Sequence, residues 1–165
     1  MNAGTHLIGA AAAGTALFAV SPPDFALWSP NGAFFSASVL GGGLLPDICQ
    51  PTSWLGRRLR IISTLIRTIL GHRTFTHSLL FLLLIYLTTG LWQGNAGSAV
   101  QLGLTLGAAS HILLDMLTVR GVRLLFPVRI NVRFPLTTTT GSVFGEGVIA
   151  ISLLVWVIYF TANMV

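Results

Sequence analysis

Apolar residues run along the chain in five blocks: His6 to Val20, Ala33 to Leu45, Thr76 to Trp92, Ser98 to Val119 and Val143 to Met164. A helix crossing the hydrocarbon core of a bilayer needs about 20 residues. The last two blocks reach that length and the third nearly does. The first two are short, and cross only if flanking residues extend them, if they tilt in a thin bilayer, or if they pack inside protein. The connectors differ in character. Ser21 to Gly32 holds Pro22, Pro23 and Pro30 and reads as a turn-rich loop. Gly90 to Gly97 is a short polar hairpin. Asp47 to Phe75 is long, and within it Leu59, Ile62, Ile66 and Ile69 share one helical face while Arg60 and Arg67 share another. That segment is an interfacial amphipathic helix by its pattern. Val119 to Ser142 is a second long connector, rich in Arg and Thr. The pattern predicts an all-α polytopic membrane bundle of five spans plus one interfacial helix, forming a single domain over residues 1–165.

Composition strengthens this picture. Of the 165 residues 53% are hydrophobic and only 8% charged, and the mean hydropathy is +0.82. A soluble domain averages about 25% charged residues, so a disordered chain, a coiled coil and an ordinary soluble enzyme are excluded. The single cysteine, Cys49, excludes an internal disulfide framework and a Cys-rich zinc site. The first block superficially resembles a secretory leader, but no Lys or Arg precedes it, so it is expected to be retained as a span.

Charge placement sets the topology. Five crossings put Asp47–Phe75 and Val119–Ser142 on the side of the N-terminus, and all nine cationic residues, every one an Arg, fall on that side. The positive-inside rule makes that side cytoplasmic. The net charge of +5 is too thinly spread among apolar runs for nucleic-acid binding. The Arg residues read instead as topology determinants and contacts to anionic headgroups.

The remaining ionisable residues converge as well. His6 opens the first block, Asp47 closes the second, His72 and His77 precede and open the third, His111 and Asp115 close the fourth, and Glu146 opens the fifth. Each lies at the cytoplasmic end of its span. Asp24 stands apart. Ionisable groups near lipid are costly and are retained for function. His111 and Asp115, spaced i, i+4, share a helix face. Imidazole with carboxylate and no thiolate cluster suits zinc, manganese or iron. Such an ion lowers the pKa of its water, and a spare carboxylate serves as general base; Asp47 and Glu146 are the candidates. Arg73, between the two His of the third block, is placed to contact a phosphate. Taken singly, each residue has a plainer role: a packed His, a headgroup anchor, a turn Asp after Pro46, or a Glu complementing a helix N-terminus. The Gly41-Gly42-Gly43 run lets the second span approach its neighbours closely. The first two spans also echo the next two, with Thr5-His6 and Asp47 matching Thr76-His77 and Asp115, as in a parallel repeat.

The segments Leu44-Leu45-Pro46-Asp47-Ile48, Gly71-His72-Arg73-Thr74-Phe75-Thr76-His77-Ser78-Leu79 and Ser110-His111-Ile112-Leu113-Leu114-Asp115 together resemble the YdjM-like family, bacterial inner-membrane proteins grouped as metal-dependent hydrolases. Two positions depart from its pattern: Cys49 stands where the family carries an acidic residue, and Thr74 where it carries Gly. The family is distantly similar to the zinc-dependent phospholipase C group. That similarity implies one or two zinc ions held by His6, Asp47, His72 or His77, His111 and Asp115, with Glu146 as a late acidic ligand. The expectation is a hydrolase of the bacterial inner membrane, cleaving a phosphoester of a membrane lipid or lipid-linked substrate at the cytoplasmic interface. A metal or proton transporter would spread its ligands over several depths, and a purely structural metal site would turn nothing over.

Overall fold

A computed structural model describes residues 1–71 and 73–163. They form seven α-helices: α1 (Ala3–Val20), α2 (Pro30–Leu44), α3 (Trp54–Arg58), α4 (Arg60–Leu70), α5 (Leu79–Thr89), α6 (Asn95–Met116) and α7 (Gly145–Asn163), with 3-10 turns at Leu45–Cys49 and Phe75–His77. No strand occurs among the described residues. Two isolated bridges, Thr118 with Thr138 and Val122 with Val132, pin the connector between α6 and α7.

Local chemistry sets the ends of these helices. Asn2 caps α1 through Thr5 N, Ser29 caps α2 through Gly32 N, and Ser78 caps α5 through Phe81 N. Pro46 has no N–H to continue the α-helical ladder, and α2 tightens there into a 3-10 turn that carries Asp47. Four helical segments are long and apolar enough to cross a membrane: Ala3–Val20, Pro30–Cys49, Asn95–Met116 and Gly145–Asn163. The first two therefore run longer than their apolar blocks suggest. The third block is shorter than expected. Its helix α5 has 11 residues, about 16 Å at 1.5 Å per residue, because Thr74 to Ser78 leave the helix to carry His77 inward and Gly90 ends it.

The central contact is between α2 and α6. Phe35 with Gly103, Val39 with Gly107 and Gly43 with His111 meet in order along both helices. The two helices therefore run parallel, with a constant offset of 68 residues. Glycine makes this approach possible. A Cβ on Gly107 would stand 2.0 Å from the Val39 carbonyl oxygen, and one on Gly42 would stand 2.4 Å from that of Leu104. The glycine run thus does what its sequence implies, and the same offset separates Asp47 from Asp115. Helix α1 packs on α2, α6 and α7, with Gly43 against Ala10 and Gly9 against Leu114. Away from the site, Phe18, Phe25 and Phe35 pack edge-on with Ala10, Val39 and Ala99. Most of α7 is exposed apolar surface suited to lipid, and Glu146 is its one buried residue.

Helix α4 is amphipathic as expected. Its only buried residue is Ser63, while Ile61, Ile62, Leu65 and Ile69 are exposed on the apolar face. Exposed apolar residues on one face and exposed Arg60 and Arg67 on another are the arrangement of a helix lying in a lipid interface.

Candidate metal centre

Four helical segments deliver donors to one end of the bundle: His6 from the start of α1, Asp47 from the turn after α2, His77 from the turn before α5, and His111 with Asp115 from the end of α6. His6, His77, His111 and Asp115 are buried, and the Asp47 side chain is 20% exposed. Two groups of donor atoms lie within 4.8 Å of one another: His6, His111 and Asp115; and Asp47, His77 and His111. His111 belongs to both.

The separations fit a shared ion. His77 Nε2 is 3.3 Å from His111 Nε2 and 3.4 Å from Asp115 Oδ2. Asp47 Oδ1 is 3.9 Å from both imidazoles, and His111 Nε2 is 3.8 Å from Asp115 Oδ2. Metal–nitrogen bonds of about 2.0–2.1 Å at tetrahedral angles put ligand atoms about 3.4 Å apart. The His6 and His111 rings stack at 3.5 Å. Neither ring nitrogen of His6 has a hydrogen-bond partner among the described residues, although Nε2 comes within 3.5 Å of Asp115 Oδ1. Buried nitrogens without partners are costly, and a metal ion satisfies them.

Neighbouring groups choose the tautomers. His111 Nδ1–H donates to the Gly43 carbonyl at 2.7 Å, which leaves Nε2 as the lone-pair nitrogen facing the cluster. Thr76 Oγ1 donates to Cys49 Sγ and lies 3.1 Å from His77 Nδ1, so Nε2 of His77 also faces the cluster. Burial disfavours a charge on His77, but its contacts with Asp115 and Cys49 outweigh that cost and raise its pKa to about 9. Asp115 is the hub. Arg73 Nη2 reaches its Oδ2 at 3.0 Å, and the Met1 amine reaches its Oδ1 at 2.6 Å.

Above this cluster lies a cavity of about 710 Å³ whose lining includes Asp47, Trp54, Arg57, Arg73, Thr118 and Arg120. Arg73 also donates to Thr118 Oγ1 at 2.7 Å. Its backbone has φ 57°, a region that non-glycine residues rarely adopt and that structures retain mainly at functional sites. Three guanidinium groups around a space that Asp47 also lines can receive an anion next to the donor cluster.

The comparison that decides the family spans the whole chain: residues 1–165 match the family described as YdjM inner membrane protein. The chain belongs to that family. It is 41% identical over 142 residues to "Uncharacterized protein YvsG" of Bacillus subtilis (strain 168), covering 86% of this chain and 83% of that one. It is 45% identical over 120 residues to "Inner membrane protein YdjM" of Escherichia coli (strain K12) and of Shigella flexneri, covering 70% of this chain and 61% of those proteins. No solved structure matches.

In this YdjM-family chain His6, Asp47, His77, His111 and Asp115 come together as their sequence positions suggest. His72 lies outside the described residues. Glu146 does not join the converging donors. Its Oε1 accepts from Asn2 N at 2.6 Å and Thr5 Oγ1 at 2.7 Å, and its Oε2 from Gly141 N at 2.5 Å. The carboxylate thus ties the starts of α1 and α7 together, and it lies outside both donor groups. Cys49 accepts from Thr76 Oγ1, which lies beside His77 Nδ1, and so supports His77 from behind. The sequence reading missed Arg57 and Arg120 in the cavity wall, having assigned them to topology. Their only signal was proximity in sequence to Asp47 and Asp115.

Proposed function

We propose that this protein is a membrane-bound, metal-dependent hydrolase that cleaves a phosphoester of a membrane lipid or lipid-linked substrate at the cytoplasmic face of the inner membrane. The observation that carries the reading is a single one: Asp47, which shares a donor group with His77 and His111, also lines a cavity walled by Arg57, Arg73 and Arg120. His6, Asp47, His77, His111 and Asp115 would hold one or two divalent ions, and nitrogen and oxygen donors at these separations favour zinc, with manganese or iron also suited. The bound ion supplies Lewis acidity and a water of lowered pKa.

The protein's own residues supply the rest. Arg57, Arg73 and Arg120 bind the phosphate and neutralise charge that grows on its oxygens. Asp47, the carboxylate of the cluster with access to the cavity, takes the proton of the attacking water. Asp115, held by Arg73 and the Met1 amine, orients His77. The exposed apolar faces of α4 and α7 keep the substrate's tail in lipid while its head enters the cavity. All nine Arg lie in the connectors at the site end, which supports a cytoplasmic site and N-terminus.

The test is metal analysis of purified protein, followed by hydrolysis of lipid phosphates in mixed micelles with that metal. Asp47→Asn is expected to slow turnover by about 10²–10⁴-fold, and His111→Ala to lose both metal and turnover. Protein without stoichiometric metal, or unchanged turnover in both variants, sinks the reading. Stoichiometric metal that only stabilises, with no substrate hydrolysed, would make the site structural.

A further inference from the structure

We infer that the substrate carries two phosphates, and that a second pocket beside the catalytic cavity, bounded by Arg73, Arg120, Arg123 and Asn131, binds the phosphate that does not react. This deepens the proposed phosphoester reading and rests on it. The pocket holds about 290 Å³ and is lined by those four residues and Gly121. It shares Arg73 and Arg120 with the catalytic cavity. Two phosphates joined through one oxygen are the ligand that two adjoining arginine-lined spaces with common walls accommodate.

Three observations point to an anion there. No carboxylate lines the pocket. Among the described residues, neither Arg120 nor Arg123 has an acidic partner, and the one carboxylate paired with Arg73 is Asp115, on the catalytic side. Arg73 Nε is buried without a hydrogen-bond acceptor, a deficit that an added oxygen ligand removes. The pocket is also built by backbone pairing. Arg123 N donates to the Arg73 carbonyl at 3.1 Å, and Val122 and Val132 exchange hydrogen bonds of 3.0 and 2.8 Å, which brings Asn131 opposite Arg123. Gly121, at φ 61°, makes the turn, and a Cβ there would meet the Val132 carbonyl oxygen at 2.6 Å.

Binding tests this without turnover. Metal-free full-length protein in neutral detergent is titrated calorimetrically with inorganic pyrophosphate and with inorganic phosphate. Pyrophosphate is expected to bind about 10- to 100-fold tighter, the range of charge-assisted hydrogen bonds. Arg123→Ala and, independently, Asn131→Ala should erase most of that difference while leaving phosphate binding in place, and Arg123→Lys should retain part of it. Equal affinity for the two anions in the wild type, or equal weakening of both in the variants, overturns the proposal. If the variants instead lose binding of phosphatidylglycerol in mixed micelles and keep the pyrophosphate preference, the pocket reads a neighbouring headgroup and the diphosphate inference falls. A protein that prefers pyrophosphate but hydrolyses nothing would sink the hydrolase reading and leave the pocket. One that hydrolyses monophosphate esters without this preference would sink the pocket alone.

Discussion

His77 and His111 look alike in sequence but sit in different surroundings. His111 is held in orientation by the Gly43 carbonyl. His77, raised to about 9, is protonated at neutral pH when no metal is bound. A metal must displace that proton, so affinity rises with pH below about 9, by up to about tenfold per unit for one proton, and flattens above it. Metal titrations from pH 6 to 10 check this, and an affinity that falls with rising pH would contradict it. Asp115→Asn should remove metal binding and also release Arg73, as seen by metal content after gel filtration. Most of the donor set was legible in the sequence because ionisable residues are so scarce here that each stands out. Glu146 was legible as important but not in its role, since nothing in its spacing distinguishes a ligand from an acceptor for Asn2, Thr5 and Gly141. Arg57 and Arg120 were hidden for the opposite reason: among nine Arg that all fall in the two long connectors, the few that line a cavity carry no mark.

At the scale of elements, α2 and α6 carry the fold. Gly107→Ala forces a methyl into the Val39 carbonyl oxygen and should cost about 1–3 kcal/mol or more, since both sides of the clash are backbone. Gly147→Ala is the control, because nothing lies within 4 Å of its added Cβ; there the change should be neutral or stabilise by about 0.5–1 kcal/mol. Thermal unfolding of both variants in detergent checks the pair, and equal melting temperatures would show that the crossing tolerates separation. Apolar runs showed where the helices lie, but their lengths misled twice. Helices α1 and α2 gain turns from small or polar residues such as Gly4, Thr5 and Asn31. Helix α5 loses a turn because the chain from Thr74 to Ser78 serves the site instead. Hydropathy does not register either effect.

For the whole molecule, the donors come from four separate segments of the chain, so an ion bound among them holds the bundle together. Removing it with a chelator should lower the melting temperature, by an amount corresponding to about 2.7 kcal/mol at 100 times the dissociation constant. An unchanged melting curve would mean that no ion binds the folded state preferentially. The membrane orientation has its own check. In a Cys49→Ser background an impermeant thiol reagent should label Gln93→Cys in intact cells and Arg129→Cys only after lysis, and the reverse pattern would invert the topology. The constant offset of 68 between α2 and α6 reaches beyond packing, because it also relates Asp47 to Asp115. These two aspartates occupy sister positions on parallel helices, yet one is 20% exposed and the other 1%. The same offset thus leads to different surroundings, one carboxylate sealed against Arg73 and the Met1 amine, the other open to the cavity. Exchanging their surroundings, and not the aspartates themselves, would be the way to swap their duties.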